Sequence, residues 1–165
     1  MSPYPATMRE IAEQFCTTEA RVDLLRSWVR HRKALAALGL SGHQWIDGSF
    51  CEDVERLRGR APADIDVVSL IVRPPVLHSP AAWTSVVNAN APLFDRAQVK
   101  AAFHCDSFMV DIGFPAFAVY PQLLYYYGLF THQRVTHLWK GLIQVAFPAD
   151  DDAALAFVDT LSFTP

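Results

Sequence analysis

The stretch "WIDGSFCEDVERLRGRAPADIDVVSLIV", Trp45 to Val72, decides how this chain folds. Both of its ends are apolar and rich in β-branched residues, so each reads as a strand. The middle is polar and turn-rich, with room for one helical turn before Pro62. Two strands linked by a polar excursion predict an antiparallel pair. Residues i and i+2 of a strand share a face, so Asp64 and Asp66 project together while Ile65 and Val67 enter the other layer. Two carboxylates about 4 Å apart repel by about 4 kcal/mol at an effective dielectric near 20. That is a sizeable fraction of a domain's whole stability. A sheet keeps such a pair if both acids are solvated at a strand end, if one is protonated, or if a divalent cation lies between them. Mg²⁺ suits the last case, because it takes hard oxygen ligands and leaves positions for water and phosphate.

Working outward, Gly48-Ser49 ends the first strand, "HQWID", with a tight main chain, free N–H groups and a hydroxyl suited to phosphate oxygens. Upstream, residues 18–38 carry Val22, Leu25, Trp28, Val29, Leu35 and Leu38 at helical spacing, with Thr18 as cap and Gly39 as stop. Arg21, Arg26, Arg30, Arg32 and Lys33 are expected mostly on the wet faces of this helix. Downstream, residues 78–90 and 92–102 read as helices, and "FHCDSFMVDIGF" as a third strand bearing Asp106 and Asp111. Residues 119–165 read as a helical C-terminal part, rich in aromatics as far as Trp139. Asp150, Asp151 and Asp152 sit at a helix start, where they suit the dipole.

Composition narrows the class. The 165 residues are 52% hydrophobic and 19% charged, which fits one domain with a real core and argues against disorder. No run approaches the roughly 18 apolar residues of a membrane helix, and the start lacks a basic stretch followed by an apolar block. The net charge of −3 gives no broad basic face for long nucleic acid. Three cysteines with no paired spacing, Cys16, Cys51 and Cys105, fit buried thiols in a reducing cytoplasm better than a zinc site. The expected architecture is a single α+β domain: a small mixed or antiparallel sheet with helices packed on it.

The pattern "DGSF…ADIDVV" resembles the signature of the polymerase-beta-like nucleotidyltransferase superfamily, over about residues 42–112. That signature is a Gly-Ser after one strand, Asp-apolar-Asp at the start of the next, and one acid on a later strand. The tail "YYYGLFTHQRVTHLWKGLIQV" resembles small bacterial members of the same group. The resemblance implies that Gly48 and Ser49 bind nucleotide phosphates and that Asp64 and Asp66 hold two Mg²⁺ ions. It also implies that a third acid holds the second ion and assists the attacking hydroxyl. Asp106 is the expected third acid, because it lies just after the preceding helix; Asp111 falls at the far end and on the opposite face. The loop between Ser49 and Asp64 is a few residues longer than in minimal members. The implied reaction moves an NMP from an NTP to a hydroxyl on a small molecule, a protein or an RNA end. The alternative is a catalytically silent partner in a two-component system, and a protein partner or second copy is compatible with either.

Cations for the leaving pyrophosphate are sought among Arg58, Arg60, Arg73 and Lys140. His104 flanks Asp106 as a base or donor, although packing explains a strand histidine as well. His132, Arg134, His137 and Lys140 form either a basic strip or a wet face. Tyr125, Tyr126, Tyr127, Phe130 and Trp139 suit core packing or a partner surface better than a stacked base.

Overall fold

The computed structural model describes residues 2–133 and 138–163. Its centre is the predicted hairpin. β2 (Ser41–Asp47) and β3 (Ile65–Val72) pair antiparallel from Ser41↔Val72 to Asp47↔Asp66. β4 (Cys105–Asp111) lies parallel to β3, with Ile65 opposite Cys105 and Asp66 opposite Asp106. Two further strands complete one sheet of order β1-β5-β2-β3-β4. β5 (Ile143–Phe147) runs antiparallel to β2, and β1 (Tyr4–Ala6) runs parallel to β5. The mixed sheet and its helices give the α+β class read from the sequence.

Alternation along the strands sorts the two faces. Ile46, Ile65, Val67 and Val145 face α1 (Met8–Phe15), α2 (Glu19–Ala37) and α8 (Asp151–Val158), in a core that holds Met8, Leu25, Trp28 and Ala154. Trp45, Val68, Leu70 and Val110 face α7 (Ala116–Phe130), packing on Val119 and Phe130. The loop after β2 holds a short 3₁₀ turn at Ser49–Cys51 and then α3 (Val54–Arg58). α4 (Pro80–Ala89), α5 (Ala91–Phe94) and α6 (Arg96–Phe103) connect β3 to β4. Ser79 caps α4 and Asp95 caps α6 with their side chains.

One expectation is corrected and two readings are extended. The segment 119–165 is not all helix: α7 ends at Phe130, and "IQVAF" is a strand with neighbours on both sides. Residues 4–15, given no element from sequence, form an edge strand and a helix whose Thr7–Glu10 capping box closes its start. The basic residues of α2 are mostly wet, with Arg26, Arg30 and Lys33 exposed, but Arg21 and Arg32 are buried. Arg32 donates to Asp151 at 2.7 Å, to the Gln44 side-chain oxygen at 2.8 Å and to the Ala146 carbonyl at 2.8 Å. Arg21 grips Glu55 through two bonds of 2.7 Å and reaches the carbonyls of Phe50 and Glu52. The acids before α8 act tertiarily as well. Asp150 accepts from the main-chain N–H groups of Met8 and Arg9, so it caps α1 rather than its own helix.

Candidate functional site

The strand register builds the site. Asp47, the last residue of β2, stands opposite Asp66, and Asp66 stands opposite Asp106 on β4. Three carboxyl-bearing residues therefore form a row across adjacent strands, about 5 Å apart from one strand to the next. Their parity with Trp45, Val68 and Val110 sets them on the α7 face, at its edge. Asp64 precedes β3 and, two residues from Asp66, joins the same end. His104 helps fix this alignment. It ends α6 in the left-handed conformation, with φ 52°, and its carbonyl accepts from the Ile65 N–H at 3.0 Å. A helix stop, rather than a base, is the role this geometry gives it.

Gly48 follows Asp47 with φ 82°, and its main chain lies against the Asp66 carboxyl. A Cβ there would stand 2.0 Å from Asp66 Oδ2, so only glycine allows the close approach. Ser49 opens the 3₁₀ turn, and the Cys51 N–H returns to the Gly48 carbonyl at 3.1 Å. Arg21 holds the turn from behind through the Phe50 and Glu52 carbonyls.

Cations surround the row. Lys140 Nζ lies 2.5 Å from Asp47 Oδ2 and 3.8 Å from Glu52 Oε1. Lys100 Nζ lies 2.5 Å from Asp64 Oδ2 and 3.8 Å from Asp106 Oδ2. Arg96 makes a two-pronged pair with Asp106, its Nη2 at 2.8 Å from Oδ2, and its guanidinium sits 4.5 Å from the centre of the Phe108 ring. Hydrogen bonds to Asp106 and Asp64 hold the Arg96 and Lys100 side chains above their usual pKa values. Burial pushes the Asp47 carboxyl up from 3.8 to about 6, against the Lys140 ammonium and aided by repulsion from Asp66.

The expected residues divide clearly. Asp64, Asp66, Asp106, Gly48, Ser49 and Lys140 share one end of the sheet. Arg73 does not: it follows β3 at the opposite end, about 23 Å along the strand from Asp66, where it pairs with Asp111. The same pair accounts for Asp111 and removes it as the third acid. Arg58 pairs with Glu52 at 3.2 Å on the exposed loop. Among the described residues, no three or more His, Cys, Asp or Glu side chains are gathered to hold a metal ion. The basic groups interleave with the acids instead. Arg134 and His137 of the proposed basic strip lie outside the described residues, and Lys140 stands just before β5 rather than in a helix. Burial raises the Cys51 and Cys105 thiols and takes Cys16 to about 12, so none is primed as a nucleophile.

Sequence reading missed Asp47, Arg96 and Lys100. Asp47 becomes visible once β2 and β3 are paired end to end, because the last residue of one strand then meets the start of the other. Arg96 and Lys100 are four apart on a helix that leads into β4, a spacing that puts both on one face.

No curated protein and no solved structure matches the chain. Among the described residues, no helix is long and apolar enough to cross a membrane. A family profile matches residues 2–146, a span that includes every acid and cation of the row and all but the last residue of β5. By that match the chain belongs to the family of unknown function DUF6932.

Proposed function

We propose that the acid row binds a Mg²⁺-bound nucleoside triphosphate and that the protein transfers the NMP unit to a hydroxyl acceptor. The observation that carries this reading is the alignment of Asp47, Asp66 and Asp106 across three strands beside the Gly48 turn. Structural acids are normally scattered or paired one to one. A file of them at a sheet end, with a main chain pressed on the middle one, suits a polyphosphate and its counter-ions.

The donor set fits Mg²⁺ in kind, being all carboxylate oxygen. Asp64, Asp66 and Asp106 would hold it, with Asp47 adjacent. Lys100 and Arg96 are about half-exposed on their side chains, so both can swing from the acids onto phosphate oxygens. Bound there, the ion would supply charge compensation at the attacking and leaving oxygens. The chain's own task is positioning. The turn after Gly48 would offer the Ser49 hydroxyl to the phosphates. The acceptor oxygen forms its bond to the α-phosphorus as the bond to pyrophosphate breaks. Its proton passes to a carboxylate of the row.

The test is calorimetry with Mg²⁺ and each of the four NTPs, alongside transfer of labelled NMP. Asp66→Asn and Asp106→Asn are expected to lose binding and at least about 100-fold in any transfer, while melting normally. Intact protein that neither binds Mg²⁺-NTP nor transfers label would end the proposal.

A second reading, a catalytically silent partner protein, draws on two observations. Asp106, Asp64 and Asp47 are already paired with Arg96, Lys100 and Lys140. The outer face of α7 also exposes Phe117, Tyr120, Leu124 and Tyr125. A stable complex with a co-encoded protein, formed by a chain that binds no nucleotide, would favour this reading over the first.

A further inference from the structure

At the same end of the sheet, on the other side of Asp47, lies a cavity of about 360 Å³ lined by Ser2, Tyr4, Tyr127, Trp139, Lys140 and Gly141. Its place follows from topology. Ile46 pairs with Ile143 and Tyr4 pairs with Ile143, so β5 and β1 start at the end of the sheet where β2 stops; Tyr4 shares the Ile46 face, and Lys140 joins the cavity to Asp47 on the other. Two strand spacings, about 10 Å, separate the main chains at Tyr4 and Asp47, and a third reaches Asp66, so a ligand joining cavity and acids passes round this sheet end by way of Lys140. That span suits a nucleotide whose base lies in the cavity and whose phosphates lie along the acids.

The walls suit a planar ring. Tyr4 is 51% exposed and Trp139 is 70% exposed, a large aromatic surface left open to solvent. Each is braced from behind. Trp139 packs against His132, with ring centres 4.3 Å apart and planes tilted by 46°. The Tyr4 ring lies on the main chain of Gly141, where a Cβ would stand 2.4 Å from its Cε2. Tyr127 is fixed by its hydroxyl, which donates to the Ser2 carbonyl at 3.2 Å, and its ring meets Trp45 edge-on. Lys140 belongs to both places: it lines the cavity and its ammonium rests on Asp47. A ligand bridging cavity and row would pass directly over it.

We infer that this cavity receives the nucleobase of the nucleotide, stacked against Tyr4 and Trp139, with Lys140 as the link to the acid row. The inference rests on the nucleotide reading above and adds to it a base-recognition site. Aromatic stacking of this kind tolerates any base, whereas the Lys140 ammonium and the Ser2 hydroxyl, which already accepts from the Leu142 N–H at 3.1 Å, can donate to base or ribose acceptors.

The test reads the indole N–H resonances of the full chain by NMR, with that of Trp139 assigned from Trp139→Phe. Titration with the four free nucleosides needs neither metal nor phosphate, so it probes the cavity without the acids. The expected result is a shift of the Trp139 resonance, leaving that of Trp28, buried in the core, unmoved. Tyr4→Ala and Trp139→Ala should each weaken Mg²⁺-NTP binding at least about tenfold. Because Trp139 is exposed, its variant should fold even if Tyr4→Ala disturbs β1. Nucleosides that leave Trp139 unmoved, together with variants that bind Mg²⁺-NTP as tightly as the parent, would overturn the base site while leaving the acid row intact. Conversely, nucleoside binding at Trp139 in a chain indifferent to Mg²⁺ and to Asp66→Asn would keep the base site and remove the transferase.

Discussion

Two clusters of ion pairs stand on opposite faces of one sheet, and they are built on different plans. Behind the sheet, Arg32 and Asp151 are fully or nearly buried, and the bonds of Arg32 end on Asp151, Gln44 and a carbonyl. In front, Asp47, Asp64, Asp66 and Asp106 gather at one end, served by cations that reach in from α6 and from the approach to β5. The rear cluster is saturated, with no partner that can be exchanged without leaving a bare charge in the core. The front cluster is open, because Arg96 and Lys100 have more than half of their side-chain surface in water. Buried pairs must be complete. Exposed pairs add little stability and can be traded for a ligand. Similar chemistry is therefore sealed in the core on one face and partly open to water on the other.

The largest test of this contrast is at the rear. Asp151→Ala strands Arg32 and should cost about 3–5 kcal/mol in urea unfolding. The double change Arg32→Met with Asp151→Leu should recover most of that loss, because an apolar pair leaves no bare charge. A single variant that lost less than about 1 kcal/mol would put the rear cluster in the same class as surface pairs.

Asp47 comes next, as the most buried of the front acids. Its rise from 3.8 to about 6 corresponds to about 3 kcal/mol of disfavoured ionisation. The folded chain keeps a proton between about pH 4 and 6 that the unfolded chain releases, so this group's contribution to stability declines as pH rises through that window. Asp47→Asn lacks the titration. Its stability should gain on the parent by about 2–3 kcal/mol between about pH 4 and 7. A flat difference across that range would show that Lys140 fully compensates the buried charge. Mg²⁺, if it binds the row, should pull the Asp47 transition downward, which carboxyl-carbon NMR would detect.

The smallest expected effects separate the two ends of the sheet. Lys100→Met should change stability by less than about 1 kcal/mol yet weaken Mg²⁺-NTP binding, since its partners are Asp64 and Asp106. Arg73→Met should do the reverse, destabilising through Asp111 while leaving nucleotide affinity unchanged. Equal effects on binding would dissolve the distinction.

Legibility from sequence tracks how local each feature is. The β2–β3 hairpin, the α2 helix with its Thr18 cap and the parity of Asp64 with Asp66 depend on neighbours in the chain, and all were readable. β5 was not. Four apolar residues and a glutamine after an aromatic helix fit either period, and two strand neighbours settle the matter only in three dimensions. Burial of Arg21 and Arg32 was equally hidden, because a charged residue on a helix defaults to water. Their carboxylate partners lie 34 and 119 positions away. At the site, Gly48, Ser49, Asp64 and Asp66 were legible from spacing. Arg73 was misassigned because charge alone does not say at which end of a strand a side chain lies.

The order β1-β5-β2-β3-β4 places the last strand between the first strand and the rest of the sheet. During synthesis, Tyr4–Ala6 leaves the ribosome early but has no edge to dock on until Ile143–Phe147 follows. For most of translation β2 therefore offers an unpaired flank, and the N-terminal segment waits for it. Closure of the sheet is a late, long-range event, and the wall of the aromatic cavity that Tyr4 provides is finished only then.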